Sequence, residues 1–380
     1  MNDRQEKIRL CFSIPELDAN THTHHFHVYE LLEEIGKQLD VFVLVDRAAS
    51  DRYPLKNVSG VYVSRFNAFP LRKIEQFLIL FFARLKGNKR FYVHYSLWNA
   101  LMASLIAKVL GGKTYLWSCH SYCRVRLKEI DSLKKLGQWF TGVLQIVTFK
   151  SVDCIVTGTP SVANKYVKEF GASKDKFVII PNWVNTDRFY PRPFVGEDGK
   201  NRKKTVAFIH SLTYEKGAMH LPSILSEVAT RKSDVDFLII GDGIYGDYIR
   251  KAIEKSGLRN IVKMVGHIPN TRIPVYLSSI DLLILPSENE GFPRALIEAM
   301  AMGVPFVATD VGGILDIVTP FQKQFVVKRG DIKEFSRKVV ELLNDENKLK
   351  LLKEDGLAHV KKFTLPKVSE MFLEMIRGRC

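Results

Sequence analysis

The stretch that decides the fold is Leu282–Thr309, which reads LLILPSENEGFPRALIEAMAMGVPFVAT. Its two ends, Leu282–Pro286 and Phe306–Thr309, are short apolar runs with the length and composition of buried strands. The segment between them has helical character, and Pro293 suits the first turn of such a helix. A strand, a helix and a second strand in this order predict two parallel strands joined by a crossover helix.

The same alternation continues along the chain in both directions and predicts an α/β protein with doubly wound parallel sheets. Segments of helical period, such as His27–Leu39, separate the strand candidates. Outside the stretch quoted above, those candidates are Ile8–Ile14, Val41–Val45, Val61–Val63, Phe91–His94, Thr114–Trp117, Cys154–Thr157, Val178–Pro181, Val206–His210, Phe237–Gly241 and Val262–Gly266.

The length of the chain indicates two domains, because 380 residues exceed what one hydrophobic core comfortably holds. The polar stretch Arg192–Lys204 interrupts the pattern and predicts a linker. We therefore expect a first domain over residues 1–191, a linker over 192–204, a second domain over 205–358, and a helical tail over 359–380 that packs back on the first domain. Doubly wound domains bind ligands beyond the carboxyl ends of their strands, which predicts a cleft between the two.

Composition and the N-terminal sequence favour a soluble protein of a reducing compartment. No apolar stretch approaches the ~20 residues that span a bilayer, and the opening MNDRQEKIRLCF lacks the apolar core of a signal peptide. The five cysteines form no disulfide framework. We expect a cytoplasmic location.

Glu290 and Glu298 flank the start of the predicted helix and are separated by close to two helical turns. Both carboxylates could therefore face one ligand and accept hydrogen bonds from sugar or ribose hydroxyls. The helix N-terminus adds backbone N–H groups and a partial positive charge, which suit a diphosphate. Taken alone, the pair is also compatible with one glutamate in the first turn of the helix and one ordinary exposed helix glutamate.

Further short motifs occur in a definite order along the chain. They are Pro181-Asn182-Trp-Val-Asn185, Tyr214-Glu-Lys216-Gly217, Gly241-Asp-Gly243, Val265-Gly266-His267 and Thr309-Asp-Val-Gly312-Gly313, with His120 after the strand Thr114–Trp117. Together with Glu290 to Glu298, this order resembles the large retaining glycosyltransferase family 4 over most of the chain. The resemblance implies the GT-B fold, in which two Rossmann-like domains face each other and the C-terminal one holds most of the nucleotide sugar.

The resemblance also implies roles for individual residues. Lys216 would hold the donor diphosphate, Glu298 the ribose hydroxyls and Glu290 the donor sugar. His120 would line the sugar pocket and complete the catalytic group with Glu290 and Lys216. The other implied donor-site residues are Ser211, Gly217, Gly241, Gly266, His267, Ile268, Gly291, Phe292 and Pro293. Outside this context, Lys216 is compatible with a solvated surface lysine and His120 with a histidine at a strand end.

Two departures from the family pattern bear on the donor phosphates. Where the family usually has Gly-Arg, this chain has His210-Ser211, and Ser211 cannot supply the positive charge of the arginine. The loop after the first strand lacks the usual Gly-Gly and instead contains several histidines. We expect this loop to contact phosphate or acceptor, and a transition-metal site is the alternative. The residues expected to form it are Asn20, Thr21, His22, Thr23 and His24.

Positive charge is concentrated in one part of the first domain. The net charge of the chain is +15, and residues 72–135 contain 13 basic and 3 acidic side chains. Apolar residues at helical spacing in Leu71–Lys86, and again from Arg124 to Val147, predict helices that contact an anionic membrane surface. The alternative is that both apolar stripes face the core.

These observations predict a retaining hexosyltransferase that moves a sugar from a UDP- or GDP-sugar to a membrane-associated acceptor. We expect a lipid-linked glycan acceptor, polysaccharide or glycoconjugate assembly, and peripheral attachment to the cytoplasmic face of a membrane. No cofactor and no divalent metal are expected to be required, and no motif predicts a nucleic-acid partner. The alternatives are a soluble acceptor, or a catalytically weakened relative that binds a nucleotide or glycan, which Ser211 would favour.

Overall fold

The protein folds into two compact α/β units, as a computed structural model that describes residues 7–17, 26–48, 55–119, 132–193 and 203–378 shows. One unit comprises Met1–Pro181 with Val368–Cys380, and the other comprises Asn182–Lys367. Each contains a parallel sheet accompanied by helices, which confirms the predicted fold class.

The first unit is built on seven strands. They are β1 (Arg9–Leu17), β2 (Asp40–Ala48), β3 (Gly60–Val63), β4 (Arg90–His94), β5 (Lys113–Trp117), β6 (Cys154–Thr157) and β7 (Phe177–Ile179). The order across the sheet is β3-β2-β1-β4-β5-β6-β7, with all pairs parallel. Strand β1 lies between β2 and β4, and its residue Leu10 pairs with both Val41 and Arg90. The direction of winding therefore reverses between β1 and β4.

In the part of this unit that the structure describes, five helices connect the strands. They are α1 (Phe26–Gly36), α2 (Phe69–Leu85), α3 (Leu97–Leu110), α4 (Ser132–Ser151) and α5 (Pro160–Phe170). Ser96 and Thr159 cap α3 and α5 by accepting the N–H groups of Asn99 and Val162, and Gly171 ends α5 in the left-handed conformation. The strands Phe91–Val93 and Ile155–Val156 are buried beneath these helices.

The second unit is built on six strands. They are β8 (Lys204–Ile209), β9 (Val235–Ile240), β10 (Val262–Gly266), β11 (Leu282–Leu285), β12 (Phe306–Asp310) and β13 (Val326–Lys328). The order is β10-β9-β8-β11-β12-β13, again fully parallel, so the winding reverses between β8 and β11. The helices of this unit are α6 (Leu221–Arg231), α7 (Gly246–Lys255), α8 (Ile273–Leu277), α9 (Arg294–Met302), α10 (Ile314–Ile317), α11 (Ile332–Leu343) and α12 (Glu346–His359). The last helix, α13 (Leu365–Arg377), begins in this unit and belongs to the first unit from Val368 onward.

The boundary after the first unit precedes the predicted linker at 192–204. The residues that follow it make their hydrogen bonds within the second unit. The N–H of Val184 donates to the carbonyl of Phe363 at 2.9 Å, and Asn182 Nδ2 donates to the carbonyl of Phe292 at 3.0 Å. The segment was assigned to the first domain because it lies before the polar stretch, but its hydrogen-bonding partners lie more than 100 residues later in the sequence.

The C-terminal tail joins the first unit at Val368, later than the predicted start at residue 359. The ring of Phe372 packs against Phe12 and Tyr92, with centroid separations of 6.3 and 4.8 Å. Residues 359–367 belong to the second unit, where Leu365 donates its N–H to the carbonyl of Val184.

Helix α2 turns its apolar side outward. Its buried residues are Arg72, Glu75, Gln76, Leu80 and Ala83. Its exposed ones include Leu71, Ile74, Leu78, Phe82 and Leu85, each between 45% and 59% accessible. The alternative that this stripe faces the core is therefore wrong for α2.

The exposed apolar side chains of α2 continue across two neighbouring helices, since α2 packs on α3 and α3 on α4. Trp98 joins them, because its ring lies 6.2 Å from those of both Phe69 and Phe140. We call the resulting surface the three-helix face. It consists of Phe69, Leu71, Ile74, Leu78, Phe82 and Leu85 of α2, Leu105 and Val109 of α3, and Trp139, Phe140, Val143 and Val147 of α4.

Beneath α2 lies a network of polar side chains. Asp46 accepts from Gln76 Nε2 at 2.6 Å and forms an ion pair with Arg72 Nε at 2.8 Å. Lys73 Nζ donates to Gln76 and to the side-chain oxygen of Asn99. Burial lowers the pKa of Lys73, and the nearby carboxylate of Asp46 opposes that effect. The polar residues of α2 are thus paired with one another and with the sheet.

Within the described ranges, no helix has both the length and the apolar character needed to cross a bilayer.

Candidate functional site

The second unit contains a cluster of charged and polar side chains where its winding reverses. The loop 210–217 follows β8, and the loop 286–293 follows β11, which is the neighbouring strand. Carboxyl ends of parallel strands meet at one edge of a sheet, and ligands of doubly wound folds bind where the strand order reverses. Both loops therefore lie at the expected position of a ligand site.

Lys216 and Glu290 are the centre of this cluster. Lys216 Nζ donates to both carboxylate oxygens of Glu290, at 3.0 and 2.9 Å. Ser287 Oγ donates to Glu290 Oε1 at 3.0 Å. The Glu290 side chain is only 4% accessible and that of Lys216 is 21% accessible, so the ammonium lies on the solvent side of the carboxylate.

Backbone contacts hold the two loops against each other. The N–H groups of Glu288 and Asn289 both donate to the carbonyl of Glu215 at 3.0 Å. Gly217, with φ of +68°, leaves no room for a β-carbon, which would overlap the carbonyl oxygen of Pro286. The lysine is therefore fixed to the loop that contains its partner carboxylate.

A second glycine packs against the same loop. Gly312, with φ of +59°, approaches so closely that a β-carbon would overlap the carbonyl oxygen of Glu290. Asn182, from the Pro-Asn motif, donates its side-chain amide to the carbonyl of Phe292 at 3.0 Å. These contacts explain, in structural terms, two motifs that lie far from Glu290 in the sequence.

Helix α9 begins later than the sequence suggested. Its first residue is Arg294, and Pro293 occupies the cap position before it. Glu290 consequently lies on the preceding loop, so its separation from Glu298 is not the two helical turns that the spacing predicts. Glu298 lies on the helix, is buried, and pairs with Arg294 Nη2 at 3.3 Å.

His210 belongs to the cluster although the sequence singled out only its neighbour. Its Nε2 lies 3.9 Å from Glu290 Oε1, and its Nδ1 accepts the backbone N–H of Ser211 at 2.9 Å. The signal that could have identified it was the departure from Gly-Arg itself, since the substitution places a hydrogen-bonding ring directly after β8. Ser211 is half-buried, and its Oγ lies 3.4 Å from the same ring.

The remaining donor-site candidates follow strands on the other side of β8. Gly241, after β9, fits against the carbonyl of His210, and its N–H donates to the carbonyl of Gly266 at the end of β10. His267 is exposed and Ile268 is half-exposed. These residues lie at the same sheet edge as Lys216, one and two strands removed from β8.

Some predicted residues cannot be placed. His120 and the loop residues 20–24 lie outside the described residues.

The described cluster is suited to an anionic ligand. It combines an accessible ammonium group with the first backbone N–H groups of α9, which has nine residues. The carboxylates of Glu290 and Glu298 can accept hydrogen bonds from hydroxyl groups. A phosphate-containing, polyhydroxylated ligand matches both sets of groups.

Comparison with known proteins agrees with this chemistry. Residues 25–188 match the family model described as Glycosyltransferase Family 4, and residues 195–358 match the one described as Glycosyl transferases group 1. The 2-deoxystreptamine glucosyltransferase of Streptomyces kanamyceticus is 27% identical over 256 residues, which are 66% of this chain and 66% of that protein. The alignment thus spans just under two thirds of that relative.

A yeast protein and a solved structure extend the comparison. The phosphatidylinositol N-acetylglucosaminyltransferase GPI3 subunit of Saccharomyces cerevisiae is 24% identical over 335 residues, covering 81% of this chain and 69% of the yeast protein. The crystal structure of HepE from Anabaena in complex with UDP and glucose superposes with a TM-score of 0.77 at 14% identity, covering 98% of this chain and all of that one. At this identity, the superposition establishes the shared fold.

The two sheets with their order of strands, the two family matches and the structural likeness agree, and the chain belongs to the glycosyltransferases of family 4 type, with the GT-B fold.

Proposed function

We propose that the protein transfers a hexose from a nucleoside-diphosphate sugar, with UDP- or GDP-sugar as donor, to an acceptor at a membrane surface. The observation that carries the donor assignment is the contact between Lys216 and Glu290 where the winding of the second unit reverses. A lysine ammonium stabilises phosphate charge, and a buried carboxylate at the same place can orient sugar hydroxyls.

In this proposal Lys216 and the N-terminus of α9 bind the diphosphate, and Glu298 accepts from the ribose hydroxyls. Breaking the bond between the anomeric carbon and the phosphate oxygen builds negative charge on the departing diphosphate. The ammonium group stabilises that charge, which is the main catalytic contribution. HepE, crystallised with UDP and glucose, has the same fold and supports this type of ligand.

We further propose that transfer retains the anomeric configuration. The acceptor oxygen bonds to the anomeric carbon on the face that the diphosphate leaves, and its proton passes to a departing phosphate oxygen. The products are the glycosylated acceptor and the nucleoside diphosphate. Proton NMR of the product tests this mechanism, since an inverted anomeric centre contradicts it.

The first test is thermal stabilisation by UDP, GDP, ADP and dTDP. One nucleotide should raise the Tm of the wild-type protein, by an increment that grows with ligand concentration. Lys216→Ala and Glu298→Ala should each abolish most of the increment. Lys333→Ala and Glu354→Ala replace exposed residues of α11 and α12 and serve as matched controls that keep it.

The outcome also distinguishes an active transferase from a catalytically weakened relative that only binds a nucleotide. If none of the four nucleotides stabilises the wild-type protein, the donor assignment fails. If a nucleotide binds but its sugar conjugate is neither hydrolysed nor transferred, the protein is a nucleotide-binding relative without turnover. Ser211 is the sequence feature that favours this second candidate.

The three-helix face supports the proposed membrane-associated acceptor. Contiguous apolar patches of this extent are rare on soluble monomers and mark interaction sites. The charge around it selects the partner, because Glu75 is the sole acidic residue between positions 55 and 119 and is itself buried. The basic residues of that segment, among them Lys86, Lys89 and Lys108, would face anionic headgroups while the apolar side chains enter the interface.

The two relatives point to different classes of acceptor. The name of the yeast relative includes a membrane lipid, phosphatidylinositol, and that of the Streptomyces relative a small soluble molecule, 2-deoxystreptamine. We favour a lipid-linked glycan, used in polysaccharide or glycoconjugate assembly, because of the three-helix face. A soluble acceptor is the alternative.

Liposome flotation distinguishes these two acceptors. The protein should float with vesicles containing phosphatidylglycerol and much less with pure phosphatidylcholine. The double variant Leu78→Gln and Phe82→Gln should reduce flotation by at least ~10-fold, since each side chain contributes ~1.5–3 kcal/mol when buried in the interface. Ile244→Gln with Leu351→Gln replaces exposed apolar residues of the second unit and should leave flotation unchanged. Binding that is absent from both vesicle types contradicts the membrane proposal.

We also propose a cytoplasmic location and a donor site that works without a divalent metal. The spacing of the five cysteines along the sequence does not resemble a disulfide framework, as suits a reducing compartment. The ammonium of Lys216 and the start of α9 provide the positive charge that a metal supplies elsewhere. Transfer that persists in excess EDTA is the expected result, and loss of transfer restored by Mg²⁺ contradicts it.

A further inference from the structure

We propose that His210 binds the donor diphosphate through Nε2–H and takes the place of the arginine that this chain lacks at position 211. This inference rests on the proposed function, because it concerns the phosphate part of the same donor site.

The backbone fixes where the His210 ring stands. His210 directly follows β8, its N–H donates to the carbonyl of Ile240, and its own carbonyl fits against Gly241, which has no room for a β-carbon there. The residue therefore cannot shift along the sheet without losing both the hydrogen bond to Ile240 and the close packing against Gly241. Its side chain leaves the chain where the winding reverses, beside the loop that contains Glu290.

A hydrogen bond fixes the tautomer of the ring. The backbone N–H of Ser211 can only donate, and it donates to Nδ1 at 2.9 Å. In the neutral imidazole, the proton must then be on Nε2. The nitrogen that faces the site is consequently a hydrogen-bond donor.

Two donors converge on one anionic oxygen. Lys216 Nζ lies 3.0 Å and His210 Nε2 lies 3.9 Å from Glu290 Oε1. The side chains of both donors are about a fifth accessible, at 21% and 22%, whereas the carboxylate behind them is 4% accessible. An entering phosphate would therefore meet Nζ and Nε2 before the carboxylate.

The charge of the cluster explains why a second donor is needed. Lys216 is paired with Glu290, and the negative charge of the carboxylate offsets part of the attraction of the ammonium group for a diphosphate. Ser211 adds no positive charge. A neutral ring N–H supplies direction and a hydrogen bond without charge, which predicts a weaker phosphate clamp than an arginine would form.

The test compares a nucleoside diphosphate with its own nucleoside. The diphosphate is whichever of UDP, GDP, ADP and dTDP stabilises the wild-type protein, and both affinities are measured by calorimetry or competition. His210→Ala should weaken diphosphate binding about 10-fold, the size of one lost hydrogen bond to a charged group, and leave nucleoside binding unchanged. Because the nucleoside lacks phosphates, this difference isolates the phosphate contact from any effect on folding.

Two further variants examine the chemistry of the contact. His210→Gln can place an amide N–H near the position of Nε2 and should retain affinity within ~3-fold of wild type. The double variant His210→Gly with Ser211→Arg restores the usual Gly-Arg pair and should bind the diphosphate at least as tightly as wild type. Lys333→Ala is again the control.

The inference is overturned if His210→Ala leaves both affinities unchanged, or weakens diphosphate and nucleoside equally. In either case the wild-type protein still binds the diphosphate, so the proposed function stands. If the wild-type protein binds none of the four diphosphates, the proposed function fails and this inference fails with it.

Discussion

Helices α2 and α11 are arranged in opposite ways. In α11, the buried residues are mostly apolar, including Phe335, Val339 and Leu342. Its outer surface is charged, with Arg337 paired to Glu334 at 2.7 Å. Helix α2 instead buries three polar side chains beside Leu80 and Ala83, and it exposes a row of large apolar ones. The buried polar residues are Arg72, Glu75 and Gln76, and the exposed apolar ones are Phe69, Leu71, Ile74, Leu78, Phe82 and Leu85.

The difference shows that amphipathic spacing alone does not tell which side of a helix faces the core. Both helices have apolar residues at helical spacing, yet only α11 follows the usual rule that the apolar stripe is buried. In α2 the polar side is satisfied by partners on the sheet and on α3, such as Asp46 and Asn99. Such inversion is expected where the outer surface meets an apolar partner.

The largest expected effect is a difference in the free energy of unfolding between two single variants, each with a phenylalanine replaced by alanine in one of the two helices. Phe335→Ala should lower the free energy of unfolding by about 3–5 kcal/mol, because Phe335 is 2% accessible and its removal leaves a cavity. Phe82→Ala should change it by less than ~0.5 kcal/mol, because Phe82 is 53% accessible. Urea denaturation measures both. If both variants lost the same free energy of unfolding, Phe82 would have to be buried in solution, and the difference between α2 and α11 would not hold.

A smaller effect is expected from the polar network under α2. Arg72→Met removes the cation that pairs with Asp46 at 2.8 Å and should cost about 2 kcal/mol. The cost stays below that of a fully buried pair because Lys73 still faces Asp46 at 3.7 Å. Arg250→Met, at an exposed pair with Asp247 on α7, is the control and should have no measurable effect. A stabilised Arg72→Met protein would indicate that the network does not hold α2 in place.

The smallest effect concerns the charged surface of α11. A hydrogen bond from Lys348 lowers the pKa of Glu341, and one from Arg337 lowers that of Glu334. Carboxylates with lowered pKa stabilise the fold above their unfolded pKa, and that stabilisation is lost as the pH falls through the folded pKa. The Tm difference between wild type and Glu341→Gln should therefore be positive at about pH 7 and shrink towards zero near pH 3. A Tm difference that does not change with pH would contradict the claim that the charge of Glu341 causes it.

Most of the fold could be predicted because strand position depends on local apolar runs. The twelve strand candidates correspond to β1–β12 within a few residues, whereas β13 (Val326–Lys328) was missed. Three residues ending in a lysine do not form a recognisable run. The compact units divide at Pro181, before the predicted linker, because the contacts of Asn182 and Val184 are long-range and leave no local signal.

The sequence predicted which motifs form the site but not how their residues contact one another. Spacing separates Glu290 and Glu298 by close to two helical turns, but α9 begins only at Arg294 and Glu290 lies on the preceding loop. The contact between Lys216 and Glu290 joins loops 74 residues apart and could not be read from spacing. The role of α2 was left open, because burial of Arg72, Glu75 and Gln76 depends on partners elsewhere in the chain.

The glycines at 217 and 312 also limit which substitutions this protein can accept near its donor-site loops. Any side chain at either position would displace the carbonyl of Pro286 or of Glu290, and both backbones have positive φ. A mutagenesis library that seeks new donor sugars should therefore keep both glycines and vary outward-facing positions such as Tyr214 and His267. Exposed side chains around the site can thus be substituted, whereas the two glycines that set its backbone cannot.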